Sequence, residues 1–102
     1  MNLRVLPEAF EDLSEAVAWY EAKLDDLGFD FADVFFSEIE KIRARPLSHR
    51  IVYRSFRRRL LTRFPYFVYY RIHREEVIIC LVYHAARNPE ILEQILRNRE
   101  LR

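Results

Sequence analysis

The 102-residue sequence has little of several things: one cysteine, one glycine, one tryptophan and three histidines. A single cysteine excludes an intramolecular disulfide and fits a reducing compartment. Cys80 lies in the uniformly apolar run 77–82, where it reads as a buried, inert thiol. With Gly28 as its only glycine, the chain has no glycine-rich loop to cradle a phosphate. His49, His73 and His84 are far apart and have no neighbouring Cys or His at ligand spacing, so neither a metal nor a cofactor is expected. No apolar stretch approaches the roughly 20 residues that cross a bilayer. The first six residues lack a signal-peptide core and lead straight into a charged helical pattern. A cytoplasmic protein without a membrane partner is the expectation.

Half of the residues are apolar and 15% are aromatic, which argues for a packed core rather than disorder. The length allows one domain over 1–102. The net charge of +1 conceals an asymmetry. Residues 1–40 hold two basic and eleven acidic side chains, a net charge of −9; residues 41–102 hold fifteen basic and five acidic ones, a net charge of +10. Either the two halves neutralise each other across the fold, or the basic half meets an anionic partner, nucleic acid or an acidic protein segment. Lys41 is the only lysine in that half. The other basic residues are arginines, whose planar donor fork suits bidentate pairing with carboxylate or phosphate.

Residues 3–6 form a short first strand ended by Pro7, which is tolerated in the first turn of a helix. Glu8, Glu11 and Asp12 then place negative charge near the positive end of that helix's dipole. Phe10, Leu13, Val17, Tyr20 and Leu24 recur at three- and four-residue steps and give the helix one apolar stripe. Gly28 reads as its C-cap. A second helix carries Phe31, Phe35, Ile39 and Ile42 on one face and stops at Pro46. The two make a helical hairpin. Beyond Pro46 the segments 60–64, 66–72 and 77–83 are β-branched and aromatic, with a tight turn at 73–76. The run 77–82, apolar at every position, predicts a central strand covered on both faces. Arg57, Arg58 and Arg59 open the first of these three strands and predict an edge. Ile91, Leu92, Ile95 and Leu96 give a short C-terminal helix after Asn88 and Pro89. The fold class is α+β: a β-α-α-β-β-β order, the hairpin packed on a small, mostly antiparallel sheet, then the terminal helix.

At this point the chain resembles the RelE/ParE toxin superfamily, in particular its ParE-like, plasmid stabilisation branch. The resemblance rests on Asp12-Leu13 followed by Ala18-Trp19-Tyr20-Glu21, on Leu27-Gly28 followed by Phe31, and on Ile42 with Pro46. It continues in the run RRRLLTRFPYFVYYRIH over 57–73 and in Tyr83-His84-Ala85-Ala86-Arg87-Asn88-Pro89. It implies the toxin of a type II toxin–antitoxin system, in a hetero-oligomer with an antitoxin that wraps the folded domain. ParE-like members inhibit DNA gyrase; RelE-like members cut messenger RNA in the ribosome.

Cutting RNA through its 2′-hydroxyl needs a base, an acid and cations for the phosphorane. Where the resemblance places an arginine of the RNA-cutting branch, this chain has Phe67; residues 91–102 lack the tyrosine expected near the end; Ala85 stands where a tyrosine follows the histidine. His84 does occupy a catalytic position of some RNA-cutting members. Taken alone it is a strand-end cap, a general acid or base, or a target contact. Arg87 either bonds carbonyls or a carboxylate, or contacts a partner. Trp19 is either half-buried or part of a binding surface, and Tyr66, Tyr69, Tyr70 and Tyr83 belong mostly to the core. Arg57, Arg58, Arg59 and Arg63 make the best patch for an anionic partner, with a solvated edge as the plainer reading. Direct nucleic-acid binding is left open by these residues. The expectation that follows is a gyrase-binding toxin, not an enzyme, with a cognate antitoxin. The alternatives are a ribosome-dependent endoribonuclease using His84 and arginines of the 57–63 segment, and a degenerate, non-toxic member.

Overall fold

The computed structural model describes residues 1–101, in the order β1 (Asn2–Val5), α1 (Pro7–Lys23), α2 (Leu27–Ala44), β2 (Ile51–Tyr53), β3 (Phe56–Leu60), β4 (Tyr66–His73), β5 (Glu76–His84) and α3 (Leu92–Glu100). One five-stranded sheet runs β1-β5-β4-β3-β2, with β1 parallel to β5 and every other pair antiparallel. This is the α+β architecture the sequence predicts. β5 lies inside the sheet and is buried from Val77 to Tyr83, as its unbroken apolar run requires. Arg74 and Glu75, the two turn residues between β4 and β5, both take positive φ, 50° and 62°, so the hairpin closes tightly.

Three sequence expectations need correction. The strand expected at 60–64 is Phe56–Leu60; positive φ at Arg63 (68°) and Pro65 turn the chain before β4. Arg57 to Arg59 are not at the edge, because the short strand β2, which the sequence reading missed, pairs outside β3. Gly28 is not the C-cap of α1. It lies in the first turn of α2 at a crossing of the two helices, where an added Cβ would stand 2.5 Å from the Val17 carbonyl oxygen. The left-handed residue at the junction is Asp26, with φ 72°. The Glu21 carboxylate accepts from the N–H of Asp26 at 2.8 Å and of Gly28 at 2.9 Å, so α1 caps the start of α2.

The inner layer lies between the hairpin and the sheet. α2 buries Phe31, Phe35, Ile39 and Ile42, the predicted stripe. α1 is rotated from its predicted stripe: Ala9, Leu13 and Ala16 are buried, while Phe10 and Leu24 are 44% and 64% exposed. Small alanines let the helix axis come close to β5. Tyr20, Phe31, Phe64 and Tyr66 form an aromatic cluster with ring centroids 4.9–6.1 Å apart.

Alternation along the strands gives the sheet a second, outer face, carrying Phe56, Arg58 and Leu60 of β3, Phe67, Tyr69 and Arg71 of β4, and Leu81 and Tyr83 of β5. α3 covers part of it. Leu96 is the buried anchor of this helix, and polar contacts hold the rest: Arg71 to the Glu100 carbonyl at 3.1 Å, Arg54 to the Glu100 carboxylate at 2.9 Å, Arg97 to the Tyr53 hydroxyl at 2.8 Å.

Candidate functional site

β5 runs on past the end of β1, whose last partner is Ile79. Side chains take over the vacated edge. The Val82 N–H donates to Asp12 at 3.0 Å, the Cys80 carbonyl accepts from Arg99 at 3.0 Å, and Asp12 and Arg99 form an ion pair. Between α1 and this part of the sheet opens a groove of about 320 Å³, lined by Asp12, Glu15, Ala16 and Trp19 from the helix and by Tyr66, Val82, His84 and Arg87 from the sheet end.

The groove brings together three residues singled out from sequence. Trp19 is 56% exposed, with its ring edge-on to Tyr20 and the Lys23 ammonium 4.7 Å above it. His84 accepts the Ala86 N–H on Nδ1 at 3.0 Å and stands edge-on to Tyr66 at 4.9 Å between centroids. That backbone bond caps the strand end and leaves Nε2 as the protonated nitrogen of the neutral ring. The Arg87 guanidinium lies 4.9 Å from the centre of the Tyr83 ring and, among the described residues, has no carboxylate within ion-pair distance. Asp12, Glu15 and Tyr66 complete the lining. From sequence Asp12 reads as a dipole partner and Tyr66 as core, and Glu15 has no assigned role. The Tyr66 phenol is held above its ordinary pKa by burial and by Tyr20, with Arg87 opposing. One wall of the groove is therefore acidic, the other cationic, and the floor between them aromatic and aliphatic.

The four arginines of the basic patch do not form one patch. Arg57 and Arg59 point to the inner layer. Arg59 pairs with Glu38, a carboxylate 1% exposed that also accepts from Thr62 at 3.2 Å and lies 3.4 Å from Lys41. Burial alone would raise the Glu38 pKa; the Arg59 hydrogen bond and charge, with Lys41, outweigh it and hold the group below its ordinary value. Arg57 donates to the His49 carbonyl. Arg63 reaches Asp30 at 3.4 Å and lies over Phe64 at 5.1 Å. Arg58 alone faces outward, 4.1 Å from the centre of the Phe67 ring. Glu38 had a legible signal, since it sits on the apolar stripe of α2 between Phe35 and Ile42.

His49 belongs to the same buried network. The hydroxyls of Ser48 and Tyr70 donate to the carbonyls of Arg45 and Pro46, so they accept from His49 Nδ1, at 3.2 and 3.4 Å. Nε2 then turns its lone pair to Arg59, 3.4 Å away. Burial, Arg59 and Arg57 lower the His49 pKa, with Glu38 opposing. Cys80 is fully buried and its thiol is pushed up to about 11 by burial, although Arg71, Arg99 and Arg4 pull the other way. Among the described residues no cluster of His, Cys, Asp and Glu is placed to hold a metal, and no helix is long and apolar enough to cross a membrane.

Five basic side chains beyond residue 40 reach carboxylates in the first forty residues: Lys41 and Arg59 on Glu38, Arg43 on Glu40, Arg63 on Asp30, Arg99 on Asp12. The charge asymmetry is thus partly neutralised across the fold, and Arg50, Arg58 and Arg87 stay outside that pairing.

Comparison with known proteins adds two findings. The family model described as "ParE toxin of type II toxin-antitoxin system, parDE" matches residues 3–89. Among solved structures, a chain of a chromosomal ParDE toxin–antitoxin system from P. aeruginosa superposes with a TM-score of 0.75 at 17% identity, covering 82% of this chain and 95% of that one. No curated protein sequence matches.

Proposed function

Since the chain belongs to the ParE toxin family of type II toxin–antitoxin systems, we propose that it acts by holding DNA gyrase and that a cognate antitoxin, bound as a stable hetero-oligomer, keeps it in check. The observation that carries this reading is the composition of the groove. A half-exposed indole, an aromatic and aliphatic floor and two walls of opposite charge are what a protein segment needs for anchoring and orientation. The residues offered for RNA chemistry are otherwise engaged: His84 Nδ1 is taken by a backbone N–H, and Phe67 stands beneath Arg58 where the RNA-cutting branch carries an arginine. Antitoxin-free protein added to purified gyrase is expected to inhibit supercoiling or to accumulate cleaved DNA, and added antitoxin to relieve it. Unaltered supercoiling together with cleavage of ribosome-bound message would overturn the proposal.

His84 and Arg87 in one groove favour the second reading, a ribosome-dependent endoribonuclease with His84 and Arg87 set against the RNA backbone. A His84→Ala variant that keeps its toxicity would remove it.

A further inference from the structure

The outer face of the sheet carries a second surface, which meets the groove only at Arg87. Strand register sets Leu60, Phe67 and Tyr83 side by side across β3, β4 and β5. At strand spacing this row is about 10 Å long. Leu60 is 53% exposed, Phe67 is half-buried, and Tyr83 is buried. The Arg58 guanidinium lies 4.1 Å from the Phe67 ring centre and that of Arg87 4.9 Å from the Tyr83 ring centre. Beside Arg58, a shallow pocket of the edge strand is lined by Arg50, Ile51 and Val52, with the two apolar side chains 52% and 38% exposed. None of Arg50, Arg58 and Arg87 has a carboxylate within ion-pair distance among the described residues. α3, the element that covers this face elsewhere, brings its acidic contact, Glu100, to Arg54 and not to these three.

We infer that this surface docks an acidic segment of a partner protein, with an apolar side chain set on Leu60 and Phe67 and carboxylates on the guanidiniums around them. Three features select that occupant. The centre is apolar and is bordered by guanidiniums without a carboxylate partner, so charge complementarity calls for an anion with an apolar anchor. Guanidiniums held over rings keep their donor forks in place, which favours bidentate carboxylate pairing over diffuse attraction. Single-stranded nucleic acid would need open ring faces for its bases to stack on, and here each ring already carries a guanidinium. The exposed centre is aliphatic as much as aromatic. The inference goes beyond the gyrase reading and does not depend on it, since peptide binding and supercoiling are read in separate assays.

The test is a titration of the isotope-labelled whole chain, followed by amide chemical shifts, with three probes. They are a capped decapeptide of alternating glutamate and leucine pairs, a capped decaglutamate and a ten-nucleotide oligothymidine. The first is expected to saturate, with shifts concentrated on residues 50–60, 67 and 83–87, and to bind at least fivefold more tightly than decaglutamate. Leu60→Ser and Arg58→Gln, both at exposed side chains, should each weaken it at least fivefold without altering the spectrum elsewhere. Equal binding of decaglutamate would overturn the apolar anchor. Tighter binding of oligothymidine to the same residues would replace the protein partner by nucleic acid. Shifts centred on α1, or unaffected by both variants, would move the site off this face.

Discussion

Arg58 and Arg59 are adjacent on one strand and serve opposite ends. Arg59 turns to the inner layer and neutralises Glu38, a carboxylate that could not otherwise lie 1% exposed on the apolar stripe of α2. Arg58 turns to the outer face, over Phe67, with no carboxylate among the described residues to hold it. The two-residue period of a strand makes this division, and composition is blind to it. A run of three arginines reads as one basic patch, while the fold spends two of them on its own architecture and presents one. The inner layer is a network in which Glu38 is held by Arg59, Thr62 and Lys41, and Arg57 by the His49 carbonyl. The outer face is an open one, with α3 anchored by a buried leucine at one end and, at the other, an apolar row under guanidiniums that have no carboxylate partner among the described residues.

The largest expected effect comes from breaking the inner side. Arg59→Met leaves Glu38 buried with only Lys41 and Thr62 to satisfy it, and uncompensated burial of a charge costs about 3 kcal/mol. Urea denaturation at pH 7 should show this as a lower midpoint with an unchanged slope. Replacing Glu38 by Met as well should restore most of the loss, because an apolar pair of similar volume needs no solvation. If the double variant were as unstable as the single one, the network would owe its worth to shape and not to charge.

Next in size is the pH dependence that His49 gives the same layer. Its folded pKa lies below the ordinary 6.5, because burial and the two arginines oppose a proton on Nε2. The unfolded chain therefore takes up the proton first as pH falls. The stability contributed by neutral His49 is complete above pH 6.5 and is lost as pH drops through 6.5 towards the folded value. Denaturation midpoints measured from pH 7.5 to 5.5 should decline, and His49→Asn should flatten the decline. An equal slope in both proteins would place the titrating group elsewhere.

Much of this was legible in the residues, and what was not has physical causes. The stripe of α2 and the apolar run of β5 gave their elements and burial directly, since each is long enough for a period to show. β2 is three residues between Arg50 and Arg54, too short for one. β3 was displaced because its charges occupy both faces, so the more apolar 60–64 looked like the strand. α1 was rotated because Ala9 and Ala16, weak in any hydrophobic count, make the close contact. In the groove, Trp19, His84 and Arg87 were found one by one. Their meeting with Asp12, Glu15 and Tyr66 depends on β5 overrunning β1, a tertiary fact with no local signature. Glu38 alone was overlooked despite a signal, a carboxylate at a core position of a helix.

The smallest effect belongs to Arg58, and its smallness is what sharpens the comparison. Arg58→Gln removes an exposed cation over a half-buried ring, an interaction worth about 0.5–1 kcal/mol near the surface. It also removes a 3.3 Å hydrogen bond to the Tyr69 hydroxyl, which a glutamine can partly replace or water can take over. No buried charge is left behind, because nothing acidic leans on Arg58. The denaturation midpoint should therefore move by roughly a fifth of what Arg59→Met produces, while binding of an acidic segment should fall at least fivefold. A residue that costs little to the fold and much to recognition is one kept for a partner. If Arg58→Gln instead destabilised the protein as Arg59→Met does, the outer face would be architecture too, and the strand would have no side turned to the solution.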